Sequence, residues 1–311
     1  MHPAPRWTGR TDGTAPEHLR WHQVVEPYEP GTEPGACVFV GFASDEGVRR
    51  NKGRVGAAAG PDALRQALAP MALTGPHRAF DAGTVTVADE KLEEGQRDLG
   101  ATVSALLDAG HFPIVLGGGH EIAYGTYLGV AGSTRRTSAT RIGILNLDAH
   151  FDLRADPVPS SGTPFRQILE AEGDAVRYAV LGISQPSNTA ALFGTAAKFD
   201  VRYLLDDECD PATSLAFVED FLAEVDLVHL TIDLDVLPAS VAPGVSAPAA
   251  FGIPLPTIQA VCDRVTASGK LAVVDVAELN PRLDIDNRTA RTAARLLHRI
   301  TTRHIPYRTV G

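Results

Sequence analysis

The five residues Asp148-Ala149-His150-Phe151-Asp152 constrain this chain more than any other stretch. They close a short apolar run, residues 141–147, that reads as a buried strand. In an extended chain, side chains at i, i+2 and i+4 project to one face. Asp148, His150 and Asp152 therefore converge at the strand end. Two carboxylates and an imidazole brought together are costly to bury unless a proton or a metal cation holds them. Taken alone, so short a pattern also fits a polar loop with a helix cap.

Two further runs repeat the arrangement. Residues 227–232 read as another buried strand and end in Asp233-Leu234-Asp235. Residues 112–116 end in Gly117-Gly118-Gly119-His120-Glu121. Three apolar strands thus deliver Asp or His at their C-terminal ends, the edge where open α/β sheets bind ligands. Together they supply four Asp (Asp148, Asp152, Asp233, Asp235) and two His (His120, His150). This mixed nitrogen and oxygen set suits a divalent ion such as Mn²⁺. Six ligands exceed what one ion takes alongside water, so two metals are the natural expectation.

The remaining pattern is α/β. Strands are expected near residues 37–42, 80–87, 113–116, 142–147, 176–183, 201–205, 228–232 and 271–276, with helices between them. Pro61 fits a helix start and Gly110 a helix end. Eight strands joined by helical crossovers predict a mostly parallel sheet covered on both faces, a three-layer α/β/α fold. Residues 1–34 are polar and rich in Pro, Gly and Glu, and read as an N-terminal arm before a single domain over 35–311. Yet both tryptophans, Trp7 and Trp21, lie in this arm, which predicts that it packs on the body or on a neighbouring subunit.

Composition narrows the function. A net charge of −10 argues against a nucleic-acid partner, which would require a basic face. It also means that an anionic substrate needs a locally positive pocket. Cys37, Cys209 and Cys262 are an odd number without paired spacing, which favours a reducing, cytoplasmic compartment. Cys37 and Cys262 sit in apolar runs and read as core residues. Residues 1–34 lack an apolar leader, and no stretch of about 18 apolar residues spans a membrane.

The three strand-end motifs, in this order and at these separations, resemble the metal signatures of the ureohydrolases, the arginase and agmatinase superfamily. Glu278 in Asp275-Val276-Ala277-Glu278-Leu279-Asn280-Pro281 matches a further family motif. The resemblance runs from about residue 36 to 304. It is finest to the formimidoylglutamase branch, through Arg20-Trp21-His22-Gln23, Asn51-Lys52-Gly53-Arg54-Val55-Gly56, the run 119–125, Ser160-Ser161-Gly162-Thr163-Pro164-Phe165 and Asp286-Asn287-Arg288-Thr289-Ala290. Arginase-like members usually carry Ser where this chain has Glu121, and a loop histidine where it has Ser161. That departure disfavours an arginase-type histidine proton shuttle and favours a substrate other than arginine.

The resemblance implies a homo-oligomeric hydrolase of histidine degradation that cleaves N-formimidoyl-L-glutamate to L-glutamate and formamide. It implies two Mn²⁺ per subunit. His120, Asp148, Asp152 and Asp233 hold one, Asp148, His150, Asp233 and Asp235 the other, and a shared hydroxide attacks the formimino carbon. Asp152 is then the proton carrier, and Glu278 pairs with the amidinium nitrogens. Because the implied substrate carries two carboxylates, Arg54, Arg154 and Arg166 are candidates to read them, with surface ion pairs as the alternative for each. Ser161 and Asn188 are candidate polar contacts. Glu121 either caps the following helix or enters the site. His229, inside an apolar strand, reads as a satisfied core histidine. The other reactions open to the same motifs are those of an agmatinase- or guanidinobutyrase-like amidino hydrolase, and a family member without activity is the remaining alternative.

Overall fold

Apolar runs bounded by Gly, Pro and charged residues become strands, and the amphipathic segments between them become helices. The computed structural model describes residues 2–304; Met1 of the arm and residues 305–311 of the expected domain lie outside the described residues. The first half comprises α1 (Trp21–Val24), β1 (Val25–Pro27), β2 (Cys37–Ala43), α2 (Glu46–Arg50), α3 (Gly60–Leu68), β3 (Ala79–Thr86), α4 (Leu92–Asp108), β4 (Phe112–Leu116), α5 (Ile122–Gly132) and β5 (Ile142–Leu147). The second half comprises α6 (Pro164–Glu172), β6 (Val176–Ile183), α7 (Ala190–Lys198), β7 (Arg202–Leu205), α8 (Pro211–Ala223), β8 (Leu227–Asp233), α9 (Leu255–Thr266), β9 (Leu271–Ala277) and α10 (Arg288–Arg303).

The strands form one sheet in the order β1-β3-β2-β4-β9-β8-β5-β6-β7, and every described pairing between them is parallel. Leu64, Ile258, Leu297 and Phe221, from α3, α9, α10 and α8, pack on one face; Leu99, Ile122, Phe165 and Ala196, from α4, α5, α6 and α7, pack on the other. The three-layer α/β/α expectation holds, with nine strands among the described residues rather than eight. The ninth is β1, three residues inside the stretch that reads as a polar arm. Its pairing with β3 at Val25↔Ala79 makes it an edge strand. A segment this short carries no alternation by which a sequence could reveal it.

The arm is anchored. Trp21 is fully buried, and its Nε1 donates to His298 Nδ1 at 3.0 Å. Trp7 is 8% exposed and donates to Asp81 Oδ2 at 2.8 Å. Asp81 is also held by a two-pronged ion pair from Arg65, at 2.8 and 2.9 Å. Among the described helices, none is long and apolar enough to cross a membrane.

The topology places four strands side by side in the centre: β4, β9, β8 and β5. The chain leaves β4 on one flank of this group and resumes at β5 on the other. Such a reversal opens a crevice at the C-terminal strand ends, and His120, Asp148, His150, Asp152, Asp233, Asp235 and Glu278 all lie at the ends of these four strands.

Candidate metal centre

Local backbone geometry forces the strand-end side chains together. After β4, Gly118 passes so close to β2 that a Cβ there would lie 1.8 Å from the Ser44 carbonyl oxygen. Only glycine permits that approach. It lets Gly119 N–H donate to Ser44 O at 2.9 Å and Gly118 O accept from Glu278 N–H at 2.8 Å. The β4 and β9 ends are thereby locked to each other. Asp152 and Glu278 hold φ of 49° and 68°, left-handed values that cost a non-glycine residue roughly 1–2 kcal/mol. Strain of this kind is retained where the surroundings enforce a side-chain position.

The result is convergence. His120 Nδ1 lies 3.1 Å from Asp148, 2.9 Å from Asp152 and 3.2 Å from Asp233, yet none of these contacts has hydrogen-bond geometry. His150 Nδ1 lies 3.1 Å from Asp235 Oδ2 and 3.5 Å from Asp148 Oδ1. Two ligand groups result, His120/Asp148/Asp233 and Asp148/His150/Asp235, with Asp148 common to both. Asp152 reaches the first group through His120. One imidazole nitrogen carries at most one hydrogen, so it cannot satisfy three crowded carboxylates. The donor set therefore fits divalent cations, and the shared aspartate gives it the layout of a binuclear site.

Further hydrogen bonds aim these ligands. Asp148 Oδ2 accepts from Asn146 Nδ2 at 2.9 Å, and Asn146 in turn donates to Tyr178. Asp148 Oδ1 accepts from the His150 backbone N–H at 2.7 Å, and Asp233 Oδ1 from that of Asp235 at 2.9 Å. The Phe165 ring meets His120 edge-on at 5.3 Å.

Electrostatics follow the crowding. Burial disfavours an imidazolium at His120, but Asp148, Asp152 and Asp233 outweigh it and hold the ring well above its ordinary value. His150 is likewise raised against its burial, by Asp235 and Asp148. Burial and the Asp148 charge push Asp152 up to about 6. Burial, then the charges of Asp235 and Asp148, raise Asp233 far above the carboxylate range. Burial, with the charge of Glu121 next, pushes Glu278 up to about 8. A metal must displace the protons on its ligands, because only deprotonated groups bind it. Mn²⁺ affinity is therefore expected to rise with pH from about pH 6 upward, as Asp152 and then the raised His120 and His150 give up their protons, roughly tenfold per unit for each proton released. Calorimetric titrations across that range check this, and an affinity independent of pH would contradict it.

The convergence floors a cavity of about 220 Å³, below the roughly 300–1,000 Å³ of drug-sized pockets and suited to a small molecule. His120, His150, Asp152, Asp233, Asp235 and Glu278 line it, as do three of the candidate substrate contacts, Arg154, Ser161 and Asn188. Arg54 and Arg166 do not line it. The Arg54 guanidinium donates to the Ser246 and Val245 carbonyls at 2.8 Å each, and Arg166 pairs with Glu170 at 2.8 Å. Asn188 spends its amide on Phe151 N–H and on the Ala149 and Ser184 carbonyls, so it braces the ligand loop. Glu121 makes no capping bond to α5. It is fully buried and accepts from Ser44 Oγ at 2.7 Å and Gly47 N–H at 2.9 Å, tying down the loop after β2. His229 is buried and hydrogen-bonded to Asp275.

Asn51, Ser187 and Ser246 also line the cavity and were not singled out from the sequence. Asn51 donates to Ser161 Oγ at 3.1 Å. The available signal was position: each lies in a loop after β2, β6 or β8, at the sheet edge that carries the ligands.

The sequence is similar to those of known proteins along almost its full length. It is 85% identical over 306 residues to a formimidoylglutamase of Nocardia farcinica, covering 98% of this chain and 99% of that one. It is 70% identical to a formimidoylglutamase of Rhodococcus opacus, covering 98% and 97%. Among solved structures, the formimidoylglutamase of Bacillus subtilis shares the fold with a TM-score of 0.82 at 22% identity, covering 95% of this chain and 93% of that one. A variant of Trypanosoma cruzi formiminoglutamase, solved with Mn²⁺, matches with a TM-score of 0.78 at 27% identity, covering 88% and 94%. The Arginase family profile matches residues 35–302. That span contains all four central strands and every side chain that converges on His120 and His150, and the chain belongs to the arginase family.

Proposed function

We propose that this chain hydrolyses N-formimidoyl-L-glutamate to L-glutamate and formamide at a pair of Mn²⁺ ions. The observation that carries the reading is the 85% identity, over nearly the whole of both chains, to a formimidoylglutamase. His120, Asp148, Asp152 and Asp233 would hold one ion, and Asp148, His150, Asp233 and Asp235 the other. When bound, such a pair supplies Lewis acidity and lowers the pKa of water toward about 7.

The chain's own groups do the rest. Water adds to the formimino carbon, the bond from that carbon to the glutamate nitrogen breaks, and the nitrogen leaves with a proton. Asp152, which lines the cavity with its carboxylate 2.9 Å from His120 Nδ1, is the group placed to take up and pass on the proton. Glu278 accepts the His120 backbone N–H on Oε1 at 2.9 Å and lines the cavity. A cationic amidinium beside it would restore its charge and be oriented by it.

Arg154 is the reader of a substrate carboxylate. It is the one Lys or Arg side chain among the described residues lining the cavity. Its guanidinium makes no hydrogen bond or ion pair with any described residue. An otherwise acidic protein places a free cation there at the mouth, which answers the need for a locally positive pocket. Arg154→Ala is expected to raise KM about 10–100-fold with little change in kcat, the signature of lost ground-state binding. Steady-state kinetics check this, and an unchanged KM removes Arg154 from the role.

Release of formamide from N-formimidoyl-L-glutamate, measured beside release of urea from arginine, agmatine and guanidinobutyrate, tests the substrate. Turnover of the first alone is expected. Preferential urea release would assign a guanidino substrate instead.

A further inference from the structure

We infer that Asp275, acting through Thr231, is a positioning residue that fixes which nitrogen of His120 is free to bind a metal. The inference rests on the reading of His120 as a ligand and extends it to two residues buried inside the sheet.

Thr231 on β8 and Asp275 on β9 are register partners in adjacent strands. His229 precedes Thr231 by two residues and so shares its face of β8. All three are fully buried. Polar groups inside apolar strands are costly to bury unless hydrogen-bonded, and here they form a single connected row. Asp275 Oδ2 lies 2.6 Å from His229 Nε2. Asp275 Oδ1 accepts the Thr231 hydroxyl at 2.5 Å. Thr231 Oγ1 in turn lies 3.0 Å from His120 Nε2.

Proton counting gives the row a direction. A carboxylate only accepts, and a threonine hydroxyl has one hydrogen. That hydrogen is committed to Asp275, so Thr231 faces His120 as an acceptor and Nε2 must carry the hydrogen. A neutral imidazole protonated on Nε2 exposes its lone pair on Nδ1. Nδ1 is the atom that lies within 3.2 Å of Asp148, Asp152 and Asp233. The row therefore presents the ring with its donor nitrogen already turned toward the carboxylates. Outer hydrogen bonds that set a ligating histidine's tautomer are worth about 10–100-fold in metal affinity.

The test compares Thr231→Val, Thr231→Ser and Asp275→Asn with the wild-type full-length chain. Free Mn²⁺ is followed by electron paramagnetic resonance during titration, and circular dichroism monitors folding. Valine keeps the shape of threonine and removes the acceptor; serine keeps the acceptor. The expected result is that the wild type binds two ions, that Thr231→Val loses about 10–100-fold in affinity for one of them, and that Thr231→Ser retains wild-type affinity. Asp275→Asn should weaken the same ion; if that variant does not fold, the valine and serine pair decides. Wild-type affinity for both ions in Thr231→Val would overturn the inference, as would equal weakening in Thr231→Ser. A merely structural role lowers the melting temperature without selecting one ion. Fewer than two ions bound to the wild type would instead overturn the metal-centre reading beneath it.

Discussion

Asp148→Ala is expected to lose at least about 10³-fold in kcat/KM, roughly 4 kcal/mol of transition-state stabilisation. Asp148 belongs to both ligand groups, so its removal weakens both cation positions at once. Its carboxylate is already held below the usual range: His120 and His150 outweigh the opposing effect of burial. The variant should bind less Mn²⁺, measured by elemental analysis after reconstitution, while keeping its fold, because the side chain sits at the strand end. Asp235→Ala removes a ligand from one group only and should leave the other ion in place with little turnover. Normal turnover in a metal-replete preparation of Asp148→Ala would refute the assignment.

Arg65→Ala is expected to destabilise the protein by about 3–5 kcal/mol without touching the site. The Arg65 and Asp81 side chains are 4% and 1% exposed. Besides Asp81, Arg65 donates to Gly83 O and Thr84 Oγ1, each at 2.9 Å. Removing it strands a buried carboxylate on β3 whose other partners are the Trp7 indole and the Gly83 N–H. Trp7 belongs to the N-terminal arm, so the arm should loosen as well. Thermal unfolding followed by circular dichroism, with intrinsic tryptophan fluorescence for the arm, measures both. A melting temperature equal to that of the wild type would show that the ion pair contributes little. Residual activity below the melting point should be preserved, since Arg65 does not line the cavity.

The two predictions concern parts of the molecule that were not equally visible in the sequence. The convergent carboxylates and imidazoles were legible because Asp or His at a two-residue period closed two strands and His120 closed a third. The fold was legible for a related reason: runs such as residues 142–147 and 271–276 are too apolar to be anything but covered strands. The arm was not, because β1 has three residues and owes its conformation to pairing with β3 rather than to its own composition. The cavity wall was partly hidden. Arg54 and Arg154 look alike in sequence, each in a loop that follows a strand. Which one faces the cavity depends on the carbonyls of Val245 and Ser246, nearly two hundred residues away, that claim Arg54. Glu121 shows the same limit, since its partners Ser44 and Gly47 come from a different strand end. Thr231 and Asp275 were passed over inside apolar strands, although His229, Thr231 and Asp233 follow the same two-residue alternation.

Everything turns on separate strand ends gathering two cations beside one another. Electron paramagnetic resonance of the Mn²⁺-saturated chain, with the ion content counted in the same sample, tests that most directly. The account predicts two Mn²⁺ per chain with the spectrum of a magnetically coupled pair. One ion per chain, or two with the spectrum of isolated ions, would contradict it.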